Sequence, residues 1–344
     1  MDALRVAMYY SNRDVRLEEL PRPKVGPGEI LMRVMACGVC GSDLLEWYRL
    51  KTAPRVLGHE ATGFVEEVGE GVTHYKVGDR IFVSHHVPCG RCRYCLSGHH
   101  TACETLHTTN YYPGGFSEFV LVPRINVERG IYFLPPEISF EVGTFVEPLA
   151  CALRGQRIAD VGEGDAILVL GSGVAGLLHI QLARLRRAGL IVATDLSGYR
   201  LKAARRFGAD ETIHANEDVP SRIRELNDGR PADKVIVCAG ARAAAEQALR
   251  SVDKGGTILF FAVPPPGQDV ILPLADFWRN EITIRTSYGA APDDLEEALG
   301  LLVRRELDVE SMITHRFGLS ESQKAFELAA SGENCLKVII EPQR

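Results

Sequence analysis

Four cysteines fall within one short stretch: Cys89-Gly-Arg-Cys92-Arg-Tyr-Cys95 is followed eight residues later by Cys103. Four thiolates at this spacing close a tetrahedral zinc site. The plain alternative, a set of buried unpaired cysteines, would leave a dense group of thiols open to oxidation. The rival metal group is an iron–sulfur cluster, because three cysteines at this spacing open a ferredoxin-like ligand run. Here the fourth cysteine is too distant and no proline follows it. With all four positions filled by protein, the zinc has no open site for substrate and is structural, so any chemistry lies elsewhere.

A second constellation is spread over two segments. Cys40 in Gly38-Val-Cys-Gly-Ser-Asp43 and His59 in Gly58-His-Glu60 offer one soft and one borderline ligand. Glu60 follows directly, and Glu147 stands in Val146-Glu-Pro-Leu-Ala-Cys151. Either carboxylate completes a zinc with three protein ligands and one open position, the arrangement of catalytic sites. Taken singly the residues have plainer readings: a small buried cysteine, a hydrogen-bonded histidine and a solvated glutamate.

The third pattern is Leu168-Val-Leu170 followed by Gly171-Ser-Gly173-Val174-Ala-Gly176 and a long amphipathic segment. The order is strand, turn, helix. The first glycine permits the tight turn, the second lets the backbone approach a pyrophosphate, and the third lets helix and strand pack closely. The phosphates rest on the helix N-terminus that begins at Val174. Asp195, twenty-four residues after Gly171, ends the next strand, where an acid accepts hydrogen bonds from an adenosine ribose and repels a 2′-phosphate. NAD is therefore expected over NADP. Arg200 lies near the expected adenine edge, where its guanidinium can lie flat on the base; a solvated helix arginine is the alternative.

These groups need two kinds of scaffold. Over the first 125 residues short strands are expected at Arg5–Tyr9, Glu29–Cys37, Thr62–Val68, Arg80–Ser84 and Phe116–Val122, punctuated by Gly and Pro. From Asp165 the style changes to alternation: strand Ala166–Leu170, helix Val174–Arg187, strand Leu190–Asp195, helix Tyr199–Phe207, then further βα units. Strands Lys234–Cys238, Thr257–Val263 and Ile282–Thr286 and helix Arg242–Val252 continue it. Helices Asp293–Arg305 and Ser320–Ala330 and a strand Leu336–Ile340 close the chain.

The 344 residues exceed what one hydrophobic core usually serves, so two domains are expected. A composition 46% hydrophobic and 24% charged excludes a disordered or fibrous chain. The net charge of -6 provides no field to attract nucleic acid or anionic lipid. Ala166 to Ala183 runs without a charge, but its glycines divide it into strand and helix rather than a membrane span. No secretory leader is read at the N-terminus, and the clustered cysteines favour metal over disulfides, so a cytoplasmic location is expected.

In combination, GVCGSD at 38–43, GHEATGFVEEVGEGV at 58–72, the cysteine lobe, VEPLAC at 146–151 and GSGVAG with Asp195 resemble the zinc-dependent medium-chain alcohol dehydrogenases. The likeness is closest to the sorbitol and other polyol dehydrogenase branch. It implies an α/β plus β architecture: a GroES-like β-rich catalytic domain of residues 1–150 and 288–344 with the structural-zinc lobe at 85–105. Inserted in it is a Rossmann doubly wound parallel sheet, residues 151–287. The resemblance also implies two zincs per chain, an active site in the interdomain cleft, and a homo-oligomer, tetramer or dimer, acting on a small-molecule alcohol or ketone with NAD.

Residue by residue, the resemblance makes Cys40 and His59 catalytic-zinc ligands, Asp43 the carboxylate that orients the ligating histidine, and Ser42 the proton-relay hydroxyl. Glu60 matches the third ligand of sorbitol dehydrogenase-like members, and Glu147 falls where other alcohol dehydrogenases place a cysteine. One thiolate, one neutral imidazole and one carboxylate cancel the charge of Zn²⁺, whereas two carboxylates leave the site negative, so Glu60 and Glu147 are expected to alternate.

The chain departs from the family where a histidine often follows the relay serine: here the residues are Leu44-Leu45-Glu46-Trp47, and the proton leaves through Glu46 or through a ribose hydroxyl and water. Trp47, Tyr48, Phe116 and Tyr288 are candidates for the pocket wall, with core or interface as the plainer reading. His85 and His86 are read as structural. The expected reaction interconverts a polyol, cyclitol or sugar alcohol and its ketone. An L-threonine or amino-alcohol dehydrogenase is the alternative, and a catalytically inactive nucleotide-binding protein or a zinc-ribbon nucleic-acid module built on Arg91 and Arg93 are rivals of other classes.

Overall fold

Residues 3–344 are described by a computed structural model and fall into two units, one running to Ala150 and resuming over Ala290–Arg344, the other Cys151–Gly289.

The first unit is built on two long strands, Ile30–Gly38 and Glu60–Val68, whose apolar residues Ile30, Leu31, Met32, Val34 and Val65 are buried. They pair antiparallel with Gly38 opposite Glu60. Arg80–Ser84 and Ile131–Phe133 extend the sheet on one side. On the other side, two strands share the edge of Ile30–Gly38: Phe119–Val122 pairs with its first half, and the late strand Lys337–Glu341 takes Cys37 and Gly38. Ile313–Gly318 joins parallel to that late strand and completes seven strands. A smaller sheet of Asp14–Pro21, Ala3–Ser11 and Arg55–Val56 packs its apolar face into the same core. Tyr9 and Phe116 both meet Phe326, with ring centroids 5.7 Å apart in each pair.

The second unit is a six-stranded sheet, parallel throughout, in the spatial order Glu211–His214, Leu190–Asp195, Ala166–Leu170, Ala232–Val237, Val252–Phe260, Thr283–Thr286. In chain order this is 3-2-1-4-5-6, the doubly wound arrangement that binds ligands beyond the carboxyl ends of its strands. Ala166–Leu170 is buried along its whole length, as a central strand covered on both faces must be.

Several elements differ from the expectation. Asp14–Pro21 was not expected as a strand; it is an edge strand in which only Val15 is fully buried, so it shows little apolar alternation. The helix Val146–Ile158 was hidden by Pro148 and Gly155. Proline is tolerated in a first helical turn, and at Gly155 an added Cβ would stand 3.2 Å from His179 and Leu259, which explains the glycine. The strand expected at Thr257–Val263 starts earlier, at Val252, across a register shift in its partner. The uncharged run from Ala166 does split into strand and helix, and no helix among the described residues is long and apolar enough to cross a membrane.

Candidate active site

The pairing of Gly38 with Glu60 sets the geometry of the first centre. It brings the segment that leaves Ile30–Gly38 beside the segment that enters Glu60–Val68, so residues twenty apart in sequence converge. Cys40, His59 and Glu60 each offer a ligand atom, and the three atoms lie within 4.8 Å of one another. Immediately after Cys40 the chain turns through the short 3₁₀ helix Gly41–Leu44, and the Ser42 N–H points at the Cys40 sulfur, 3.5 Å away.

Asp43 is fully buried in that turn. One carboxylate oxygen accepts the Cys40 N–H at 3.1 Å, and the other faces His59 Nδ1 at 3.3 Å and Arg49 Nη2 at 3.2 Å. With Nδ1 donating to Asp43, loss of the Nε2 proton as a cation arrives leaves that nitrogen's lone pair free to bind it. Burial alone would raise the Asp43 pKa; the charges and hydrogen bonds of His59, Arg49 and Cys40 outweigh it and hold the carboxyl below its usual range. Burial would likewise depress His59, but Asp43 and the Cys40 sulfur raise its pKa well above the ordinary value. Such an electronegative cradle suits a cation.

Glu60 has an unexpected partner. Its Oε2 takes a hydrogen bond from the Lys337 ammonium, which also donates to Val39 O at 3.2 Å, and both side chains are almost wholly buried. Its Oε1 is buried and meets no hydrogen-bond donor. A buried carboxylate oxygen without a partner is costly, and a metal ion facing it removes that cost. The donor set therefore fits zinc: thiolate, imidazole and a carboxylate oxygen available for coordination. Gly38 is required here, since an added Cβ would stand 2.0 Å from Glu60 Oε2 and 2.7 Å from Lys337 Cε.

Lys337 corrects the charge arithmetic drawn from ligands alone: its positive charge offsets Glu60, so a second carboxylate no longer makes the centre negative. Burial works against the ammonium, but Glu60, Cys40 and Glu147 raise its pKa and keep it charged. Glu147 occupies the first turn of Val146–Ile158 and is not one of the three mutually close donors; its charge reaches both Lys337 and Tyr111. The signal for Lys337 in the sequence was a lysine opening an otherwise apolar run, Lys337-Val-Ile-Ile.

Ser42 and Arg49 meet beside the centre. Arg49 Nη2 donates to Ser42 Oγ at 3.0 Å and its Nε to Ser42 O at 2.9 Å. Glu46 is exposed and accepts the Asn12 N–H at 3.0 Å. The histidines read as structural lie beside the centre: the His85 ring is 4.9 Å from His59 and 3.8 Å from His86. Of the pocket-wall candidates, Phe116 is a core residue, Trp47 packs on Tyr48 at 5.8 Å, and Tyr48 and Tyr288 are exposed.

In the lobe, Cys89, Cys92, Cys95 and Cys103 also place their sulfurs within 4.8 Å of one another. Backbone N–H groups point at them, Cys89 N at Cys103 Sγ and Cys92 N at Cys89 Sγ, 3.4 and 3.3 Å away. Burial raises Cys103, yet the N–H donors of Cys89 and Leu106 bring it down to about 6. The local apolar cluster consists of these thiols and Leu106, too little to hold a fold without a metal.

In the second unit the glycines do what the turn requires. Gly171 has φ +101°, a left-handed conformation, and a Cβ on Gly176 would stand 1.9 Å from Gly171 O. Nothing lies within 4 Å of a Cβ at Gly173, which caps the helix Val174–Leu185 and leaves its N-terminus open to a phosphate. Asp195 ends its strand and braces the turn, accepting Ser172 N at 2.8 Å and Ser197 N at 2.9 Å. Arg200 is in the first turn of Gly198–Arg206, its Nε buried without a hydrogen-bond partner.

Comparison with known proteins agrees with this arrangement. Residues 26–129 match the alcohol dehydrogenase GroES-like domain family, and residues 175–304 match the zinc-binding dehydrogenase family. A sorbitol dehydrogenase of Halalkalibacterium halodurans is 33% identical over 95% of this chain and 95% of its own length. An L-threonine 3-dehydrogenase of Rhizobium johnstonii is 30% identical over 94% of each. A solved structure described as a zinc-binding dehydrogenase of Sinorhizobium meliloti 1021, bound to NADP, superposes with a TM-score of 0.88 at 29% identity, over 99% of this chain and 100% of that one.

Proposed function

Because this chain belongs to the zinc-dependent medium-chain alcohol dehydrogenases, in their sorbitol and polyol branch, we propose that it interconverts a secondary alcohol and its ketone with NAD. The substrate is a polyol, cyclitol or sugar alcohol. The observation that carries this reading is the convergence of Cys40, His59 and the buried Glu60, whose second carboxylate oxygen meets no hydrogen-bond donor.

A zinc ion held there would supply a Lewis acid toward an alcohol oxygen, and a bound nicotinamide dinucleotide would supply the hydride acceptor. The protein's own groups hold and position. Cys40, His59 and Glu60 would bind the ion, Glu147 stands by as a further acid whose charge reaches Lys337, and Asp43 fixes the His59 tautomer. The Ser42 hydroxyl passes its own proton outward and then takes the proton of the alcohol, and the Arg49 guanidinium, 3.0 Å from that oxygen, stabilises the negative charge it carries between the two transfers. Cys89, Cys92, Cys95 and Cys103 hold a second, structural zinc.

Gly171, Gly173, Val174 and Gly176 take the pyrophosphate, Asp195 takes the ribose and disfavours a 2′-phosphate, and Arg200 stacks on the adenine. The threonine dehydrogenase relative supports a second reading, oxidation of an amino alcohol. Ile271, Leu274 and Trp278, exposed by 85, 71 and 83%, support a homo-oligomer. We assign the protein to the cytosol, where its nine cysteines stay reduced.

Metal analysis paired with reduction of NAD and of NADP against polyols, cyclitols, sugars and amino alcohols tests the reading. Two zincs per chain and NAD-dependent turnover of a polyol-class alcohol are expected. Full zinc occupancy with no secondary alcohol oxidised overturns it.

A further inference from the structure

The turn that carries Ser42 and Asp43 is short. Gly41–Leu44 is a four-residue 3₁₀ helix, a form whose hydrogen bonds are poorly aligned and too few to offset the cost of ordering it, so its shape is imposed from outside. At its start the Asp43 carboxylate takes the Cys40 N–H at 3.1 Å. At its end two side chains supply donors to carbonyls that a short helix leaves without intrahelical partners: Arg49 Nε donates to Ser42 O at 2.9 Å, and Asn12 Nδ2 to Leu44 O at 2.8 Å. On its first residue the turn is open, with nothing within 4 Å of a Cβ added to Gly41.

Asn12 reaches the turn from another element. It stands in the two-residue connection between Ala3–Ser11 and Asp14–Pro21, where Ser11 pairs with Asp14. Each of its four polar groups is engaged. Its N–H donates to Glu46 Oε1 at 3.0 Å and its Nδ2 to Leu44 O, so it grips the chain on both sides of Leu45. Its Oδ1 accepts the Tyr9 hydroxyl at 3.0 Å, and its carbonyl accepts Gln323 Nε2 at 3.3 Å. Those two partners are firm: Tyr9 is fully buried against Phe326, and Gln323, in the helix Ser322–Ser331, also accepts the Val15 N–H at 2.6 Å.

We propose that Asn12 is a positioning residue for proton transfer: by tying Leu44 O and Glu46 to the core it holds the Gly41–Leu44 turn, and with it the Ser42 hydroxyl, in place beside Cys40 and Arg49. The inference rests on the reading in which Ser42 carries the proton, and extends it to a residue that acts only through the turn. Asparagine suits the place because its amide accepts and donates at once, one end held by Tyr9 while the other holds Leu44. Aspartate keeps the first contact and loses the second; alanine loses both.

The test is a double-mutant cycle on the zinc-loaded enzyme, read together with amide hydrogen exchange. Asn12→Ala is expected to lower kcat by about tenfold with KM for alcohol and NAD unchanged, since a displaced relay costs rate rather than binding. In a Ser42→Ala background the same change is expected to alter kcat by less than about twofold, the non-additivity of two residues that act as one, which a purely structural role would not produce. Asn12→Asp is expected to match Asn12→Ala, and Arg13→Ala, at the exposed neighbour, to match the parent. Peptides covering residues 41–46, whose Asp43 N–H bonds Cys40 O at 3.0 Å, are expected to exchange about tenfold faster in Asn12→Ala than in the parent. Zinc content and the thermal transition confirm that the variants fold. Equal losses of kcat in both backgrounds, an Asn12→Asp protein as active as the parent, or unaltered exchange over 41–46 overturns the assignment. A parent protein that oxidises no alcohol, or a Ser42→Ala protein at full activity, overturns the underlying reading instead, and the exchange measurement then decides whether Asn12 holds the turn.

Discussion

Lys337 lies against one oxygen of Glu60 while the other oxygen of the same buried carboxylate meets no hydrogen donor, so a single side chain serves a cation of the protein on one side and offers itself to a metal on the other. Removing the lysine leaves a buried charge uncompensated. Lys337→Met is expected to destabilise the first unit by about 3–5 kcal/mol in denaturant titration, and Glu60→Gln with Lys337→Met to regain at least half of that while losing one zinc per chain. A Lys337→Met protein as stable as the parent contradicts the pairing.

In the proposed mechanism the Ser42 hydroxyl carries the proton. Ser42→Ala is expected to lower kcat by about a hundredfold, in the range of general acid–base contributions, with both zincs retained. Arg49→Gln, which removes the donor to Ser42 Oγ, is expected to lower kcat in the same direction by a smaller factor. Turnover unchanged in Ser42→Ala refutes the relay.

The lobe has Leu106 as the one aliphatic side chain in its cluster of thiols, so its order depends on the metal. Cys103→Ser is expected to drop the zinc content by one, and limited proteolysis is expected to cut within residues 85–105 while NADH binding to the second unit persists. A lobe equally resistant to protease without its zinc disproves the dependence.

His179 is fully buried, with neither ring nitrogen hydrogen-bonded, and burial lowers its pKa to about 3. The unfolded chain takes up the proton near pH 6.5 and the folded chain refuses it, so stability falls as pH drops from 6.5 toward 3, by up to about 1.4 kcal/mol per pH unit. His179→Leu is expected to flatten this dependence of Tm, with Tm near the parent value at pH 7.5. An equal fall in both proteins between pH 7.5 and 5 counts against it.

Trp278 projects from the helix Leu274–Arg279 beside the outermost strand Thr283–Thr286. Exposed apolar surface next to an unpaired strand edge favours a second copy of the chain. Trp278→Glu is expected to shift the sedimentation coefficient toward that of a single chain. A parent protein that already sediments as a single chain removes the basis for the prediction.

Much of the second unit was readable because its signals are local: the strand at Ala166–Leu170, the turn at Gly171–Gly176 and the strand ending in Asp195 have the bounds expected from periodicity. The cysteine lobe was readable for the same reason, since its ligands lie within one short segment. Lys337 was not, because its meaning comes from a partner 277 residues away, reached only when Lys337–Glu341 pairs with Ile30–Gly38. His85, read as structural, packs its ring against His59, a tertiary relationship that sequence spacing does not signal. The helix Val146–Ile158 was obscured by Pro148 and Gly155, residues that are breakers in isolation and are accommodated here by a first turn and a close neighbour.

The pairing of Ile339 with Gly38 and Ile340 with Cys37 also imposes an order on biosynthesis. A ribosome delivers the segment up to Gly289, and with it every strand of the parallel sheet, well before it delivers Lys337. Until that strand emerges, Glu60 has no counter-ion and the edge at Cys37 stays open. This centre is thus the last part of the molecule to be assembled, and a nascent or prematurely terminated chain carries the cysteine lobe and the glycine turn without the Lys337–Glu60 pair that completes it.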